Sequence, residues 1–414
     1  MEAKKQMSSA LTGMEAKKKM LPGFVSIVIV TIFLYFLMIR FEGKFLEAPK
    51  LFSYVDWFTQ VPTNPLYKAF WIIGDFTEAV VYKSLIASIA LIIGSIVAHN
   101  LCRKKPELKI YPISFGAGFL PWILVGATVG LTVSSLLYAD AVGTAGWLPT
   151  FLPGCTIPAA LVVMYGGGWK TSLSGGILSG IIQYPLAKIG ADISEKLNLP
   201  GFTFVTIIGM CIGGLIIVEI FRLLPWNRGL IKGTVKPKVK PYENKAPVLP
   251  EPNMVWMLRR AVTDLTELSF LGSEIVGIFI IAGALLSWFL NPAHICYAAP
   301  IMFPAIFTTQ ILCGSLCAFV YYDKWVKFGF YPSFSALIGA SVCVMQYGTS
   351  LQIIIIAVLL NTFITAPIVS IGFGYMAKNV KRYPVMCGVV VCMGVCIGVI
   401  SGIIMLILRS GILA

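Results

Sequence analysis

The sequence predicts an all-α polytopic membrane protein with about eleven transmembrane helices, arranged as one N-terminal helix plus a 5+5 inverted repeat. Three observations predict it. The first is composition: 57% of the 414 residues are hydrophobic, 12% are Asp, Glu, Lys or Arg, and mean hydropathy is +0.86. A soluble chain of this size needs far more charge to cover its surface. Many apolar runs reach the roughly 20 residues that cross a bilayer core. The second is an internal duplication. GDFTEAVVYKS at 74–84 matches TDLTELSFLGS at 263–273, and each block is expected to open an apolar helix with Asp-x-Thr-Glu. Later landmarks follow in the same order: Leu152-Pro153-Gly154 with Tyr331-Pro332-Ser333, Tyr165-Gly166 with Tyr347-Gly348, Pro185 with Pro367, and GMCIG at 209–213 with GVCIG at 394–398. The third is charge. The net charge of +14 resides mostly in short loops between apolar runs, which is a topology signal and not a nucleic-acid surface.

The expected spans are about 22–40, 76–100, 112–137, 149–166, 171–190, 202–224, 268–290, 297–321, 330–347, 351–375 and 384–408. Residues 1–21 form a cytoplasmic tail, and 22–75 the first helix with an external loop. That helix follows Lys17-Lys18-Lys19, lacks a small-residue cleavage site and ends at Arg40, so it reads as an uncleaved anchor. Residues 76–224 form repeat 1 and 225–267 a basic cytoplasmic linker, whose Pro and Lys content argues against a packed core. Residues 268–408 form repeat 2, and 409–414 the C-terminal tail.

With the N-terminus in the cytoplasm, the inner loops carry Arg103, Lys104, Lys105 and Lys109, then Lys170, the segment 225–262, Lys324 and Lys327, and Lys378, Lys381 and Arg382. The loops at 139–144, 291–296 and 348–350 carry almost none, as the positive-inside rule requires. Five is odd, so two five-helix units in series must be antiparallel. Trp147, Trp169, Trp226, Trp288 and Trp325 fall near span ends as interfacial anchors. His99 and His294 sit near helix ends on opposite sides.

Charge inside a bilayer is costly, so buried carboxylates mark coupling-ion or proton sites. The candidates are Glu274, Glu267, Asp264, Asp75 and Glu78. Read as one helix, Asp264, Glu267 and Glu274 share a face. The competing account is a set of caps and dipole partners at wet helix starts. Glu219 and Arg222 read as an i,i+3 ion pair, and Lys83 and Lys188 as side chains that snorkel to an interface.

The second constellation is broken backbone. Gly154, Thr156, Gly166, Gly167 and Gly168 bracket the fourth span, and Ser333, Ser335 and Gln346 its counterpart. Both spans are short and end in Pro, Gly or small hydroxyl residues, as discontinuous helices do. Free N–H groups at such breaks hold a carboxylate or another anion; tight turns between packed helices are the plainer account. Asn361, with Thr362 and Thr365, stands in a very apolar span opposite Gln183 and Tyr184.

No nucleotide-binding loop or nucleophile elbow is present, so no catalytic residue, metal or cofactor is expected, and the chain is not expected to be an enzyme. Cys313 and Cys317, like Cys392 and Cys396, read as small packing residues. The expectation is a secondary transporter in the cell (inner or cytoplasmic) membrane. It moves a small polar or anionic solute between the fourth and ninth spans, coupled to H+ or Na+. Its expected partners are that solute, the coupling ion and the lipid bilayer, with no nucleic acid; a homo-oligomer is left open. The alternatives are a passive channel, or an integral-membrane enzyme or membrane subunit of a larger complex.

Overall fold

The computed structural model describes the backbone of the chain except residues 1, 49, 106–117, 233–250, 298, 329–330 and 412–414, and the side chains of 2–12 and 326–328 are also left aside. The described residues are helical, with no strand among them. We label the principal helices α1 (Glu2–Glu47), α2 (Pro65–Glu78), α3 (Leu85–Lys104), α4 (Leu120–Leu137), α5 (Ile157–Tyr165), α6 (Trp169–Lys196), α7 (Phe202–Leu223), α8 (Met254–Glu267), α9 (Glu274–Leu290), α10 (Phe303–Val320), α11 (Ser333–Tyr347), α12 (Leu351–Asn379) and α13 (Val385–Arg409).

Seven helices among the described residues are long and apolar enough to cross a membrane: Gly13–Glu47 within α1, then α3, α4, α7, α10, α12 and α13. Shorter apolar helices lie at Leu152–Tyr165, α9 and α11. The remaining expected span is α6, which is long but carries Lys170, Lys188, Asp192, Glu195 and Lys196. The N-terminal part of the expected span 112–137 and much of the expected linker lie outside the described residues.

α1 is peripheral. Only 22% of its apolar window is buried, and Ile29, Val30, Phe33 and Phe36 stay exposed. Its inner stripe of Met20, Ile27, Thr31, Tyr35 and Met38 has helical spacing and faces α8 and α10. Tyr35 donates to Thr349 O at 2.7 Å, which ties α1 to the turn between α11 and α12.

Several elements on either side of residue 230 match in order and length. α2 and α8 each have 14 residues, each follows a capping Asn (Asn64, Asn253), and six residues separate each from the next helix. α4 and α10 each have 18 residues, begin beside a proline, and lead into seven-residue helices, Ala139–Ala145 and Tyr322–Phe328. α5 and α11 both end at a glycine with positive φ, Gly166 (+86°) and Gly348 (+108°).

α3 and α9 pack closely and antiparallel. Ser84 Oγ donates to Ser287 Oγ at 2.8 Å, and a Cβ on Gly283 or Gly94 would collide with Ala90 or Phe279 on the facing helix at 2.7 Å. Glycines let the backbones approach to dispersion contact, which replaces the hydrophobic drive absent between helices in lipid. α4 and α6 use the same device: a Cβ on Gly176 would stand 2.7 Å from Gly126 O, and one on Gly180 2.7 Å from Gly130 O. α7 carries a π-helical stretch, Val205–Ile212, and α12 another, Asn361–Thr365.

Two expectations about these elements change. The Asp-x-Thr-Glu motif closes a helix instead of opening one: α2 ends at Glu78 and α8 at Glu267. Asp75, Glu78, Asp264 and Glu267 therefore cannot be N-caps, and they sit at the end of the helix dipole that repels carboxylates. The expected linker also contains α8, whose residues 263–267 are buried.

Candidate functional site: two buried charge clusters

Each motif builds the same turn. Thr77 Oγ1 donates to Gly74 O and lies 3.4 Å from Ser84 N, while Thr266 Oγ1 donates to Thr263 O and lies 3.3 Å from Ser273 N. Val81 N bonds Glu78 O and Tyr82 N bonds Thr77 O; Phe270 N bonds Glu267 O and Leu271 N bonds Thr266 O. This pairing closes a helix end through one left-handed residue, usually glycine. Here that residue is Val81 (φ +71°) or Phe270 (φ +58°). A side chain in that region costs roughly 1–2 kcal/mol, so the surrounding packing holds both turns in a strained form. Ser84 and Ser273 then cap α3 and α9.

The turns gather charge. In the first cluster Lys83, 1% exposed, pairs with Asp75 and with Glu78 at 2.7 Å. Its ammonium lies 3.8 Å over the Trp71 ring. Asp75 Oδ2 also accepts from Thr150 Oγ1 at 3.0 Å and Ser135 Oγ at 3.4 Å, and Trp147 Nε1 donates to Glu78 Oε1. Every carboxylate oxygen has a donor. In the second cluster Arg260 pairs with Asp264, through Nε at 2.8 Å, and with Glu267. Its guanidinium lies 4.1 Å over the Trp325 ring. Asp264 Oδ2 and Glu267 Oε2 have no hydrogen-bond partner among the described residues.

The two clusters lie at opposite ends of α9. Lys83 N donates to Ile295 O at 2.9 Å, just beyond the C-terminal end of α9, whereas Glu267 stands across the turn from its first residue. Seventeen residues at about 1.5 Å each separate them by about 25 Å.

Several sequence expectations are revised here. Lys83 does not snorkel; it is the buried cation of the first cluster. Lys188 makes a half-exposed pair with Asp192. Glu274 does not continue the face of Asp264 and Glu267, because the turn at 268–273 intervenes. It begins α9 and accepts from Arg259 Nε at 3.0 Å. Glu219 pairs with Arg382 at 2.8 Å and not with Arg222, which reaches the Tyr165 hydroxyl. Among the expected interfacial tryptophans, Trp169 and Trp226 are exposed, but Trp288 and Trp325 are buried.

The broken-backbone candidates divide. Thr156 is fully buried, with Oγ1 2.6 Å from Leu152 O and 2.8 Å from Gln183 Oε1. Ser179 also meets Gln183 Oε1, and Gln183 Nε2 has no partner among the described residues. On α12, Thr365 Oγ1 donates to Asn361 Oδ1 at 2.8 Å and Asn361 Nδ2 to Ala357 O at 2.9 Å. Ser179, Gln183 and Pro185 thus have the spacing of Asn361, Thr365 and Pro367. Gly154 packs on Leu131. Gly167 is required by space, since a Cβ there would stand 2.1 Å from Trp122 Cδ1, whereas Gly168 has open room. Ser333 and Ser335 turn their hydroxyls to Tyr331 O and Pro332 O, and neither caps α11. Gln346 is exposed, away from the buried groups. The main packing of α5 is on α4, α6 and α7, and that of α11 on α10, α12 and α13, so α7 and α13 intervene between the two short helices.

Lys83, Arg260, Trp71 and Ser179 are functional candidates that the sequence reading missed. The available signal was charge arithmetic: a basic residue within nine positions of each Asp-x-x-Glu, embedded in apolar sequence. No protein-family model matches the chain, nor does any curated protein or solved structure.

Proposed function

We propose that the chain is a secondary transporter of a small polar or anionic solute, built as a 5+5 inverted repeat behind α1, with H+ or Na+ as coupling ion. It works by alternating access in the cell membrane, with its N-terminus in the cytoplasm. One observation carries the reading: two hairpins of matching length and hydrogen bonding each bury two carboxylates against one cation, at opposite ends of one helix. Carboxylates kept merely as caps do not call for a cation, and here each copy supplies one from a different position. Trp71 aligns with Arg260, and Lys83 aligns with Gly272. Buried charge at both ends of a membrane core is the arrangement a coupling ion needs to enter on one side and leave on the other. The polar pairs Thr156–Gln183 and Asn361–Thr365, each near a proline and each following its own cluster in sequence, supply hydrogen-bonding groups for the solute. On this reading the chain is a carrier and not an enzyme.

The test is uptake of labelled small acids, amino acids and sugars into proteoliposomes under an imposed proton or sodium gradient. Accumulation above the external concentration supports the carrier. Equilibration without accumulation under every gradient fits a passive channel and sinks the reading. In parallel, cysteine labelling should place 291–296 outside and 236–245, which lies outside the described residues, inside. Labelling of both from one side overturns the inverted arrangement.

A further inference from the structure

We propose that the second cluster is a binding site for one monovalent cation, a proton or a sodium ion, held by Asp264 and Glu267 beside Gly314. The first argument is charge. One guanidinium against two carboxylates leaves one negative charge, on residues only 1% and 5% exposed. An uncompensated buried carboxylate is strongly disfavoured and takes up a counter-charge. A surplus of one matches a monovalent ion and not a divalent one.

The second argument is geometric. Asp264 Oδ2 and Glu267 Oε2 are buried acceptors without partners among the described residues, whereas all four carboxylate oxygens of the first cluster are satisfied. Room exists beside Asp264 Oδ2: a methyl built on Gly314 of α10 would lie 3.4 Å from that oxygen in ordinary contact. The Ser333 hydroxyl lies within hydrogen-bonding reach of the Asp264 carboxylate and can turn its oxygen to a bound cation.

Among the described residues, the charged and titratable groups facing the site are Arg260 on the same helix, the Arg259–Glu274 pair at the start of α9, and Cys317 on α10. Arg259 is engaged with Glu274, and a buried thiol offers no positive charge at neutral pH. None of these cancels the surplus.

This deepens the coupling-ion part of the proposed function, but its test reads binding and not transport, so either can fail alone. Purified full-length protein in detergent is melted in sodium chloride against choline chloride at fixed ionic strength. It is then melted in sodium-free buffer across mildly alkaline to mildly acidic pH. The wild type should be stabilised by sodium, or by acid where the ligand is a proton. Glu267→Gln supplies neutrality internally and should lose that dependence by at least about tenfold in apparent affinity, while Glu219→Gln, at an exposed pair, keeps it. If Glu267→Gln fails to fold, Glu267→Asp is read instead; it keeps the charge, withdraws it by one methylene, and should weaken the dependence. Gly314→Ala separates the two ligands. It fills the opening, so sodium affinity should fall about tenfold, whereas acid stabilisation persists if the ligand is a proton. A wild type indifferent to both sodium and acid overturns the proposal, as does a Glu267→Gln protein with the full wild-type dependence.

Discussion

The two clusters share a turn and differ in what surrounds it. Around Asp75 and Glu78, donors arrive from Lys83, Thr150, Ser135 and Trp147, drawn from several parts of the first half. Around Asp264 and Glu267, Arg260 is the principal donor, and Asp264 Oδ2 and Glu267 Oε2 have no hydrogen-bond partner among the described residues. Both clusters carry the same formal surplus, so formal charge does not separate them; the number of donors does. A carboxylate ringed by donors holds its charge through hydrogen bonds, whereas burial without them favours the neutral form. The two turns therefore share a frame, and their surroundings differ in how many donors they supply.

The largest expected effects come from removing the cations. Breaking a buried pair by deleting one partner typically costs about 3–5 kcal/mol, because the other charge is stranded. Arg260→Met should lie at the upper end, since few donors remain, and low pH should recover part of the lost stability by protonating the stranded acids. Lys83→Met should cost less, because Asp75 keeps Thr150 and Ser135 and Glu78 keeps Trp147. Chemical denaturation of both variants at two pH values measures this; equal losses with equal recovery would erase the contrast.

A smaller difference should appear in the turn threonines. Thr77 Oγ1 pairs with Ser88 Oγ at 2.9 Å in addition to its turn contacts, and the position equivalent to Ser88 is Gly277. Each neutral hydrogen bond contributes about 1 kcal/mol. Thr77→Val should therefore destabilise by about 1–2 kcal/mol, and Thr266→Val by about half as much. Thermal melting of the pair checks the ranking.

The sequence made the recurring motif legible because Asp, Thr, Glu and Ser return with identical spacing inside apolar surroundings. Their location in the fold was not legible. The helices break at Val81 and Phe270, and neither is a residue type that announces positive φ. The stretch 76–100 consequently read as one helix, and reading 264–274 as one helix invited the same error for Glu274. The cations were hidden for a different reason. Lys83 and Arg260 occupy non-equivalent positions, so comparing the copies residue by residue cannot find them. Trp325 reaches Arg260 from a separate helix, which only the fold brings near. The short helices α5 and α11 were legible because Gly166 and Gly348 end them at matching places. The intervention of α7 and α13 between them depends on packing that no local pattern records.

The most direct test of unequal clusters is the melting temperature of Glu78→Gln beside that of Glu267→Gln, in sodium-free buffer at mildly alkaline pH. Glu78→Gln gives up charge-assisted bonds to Lys83 and Trp147, each worth about 1.5–3 kcal/mol, and should melt below the wild type. Glu267→Gln removes an unsatisfied buried charge while its carbonyl can still accept from Arg260, and should melt at or above the wild type. Shifts of the same sign and size in both variants would contradict the account.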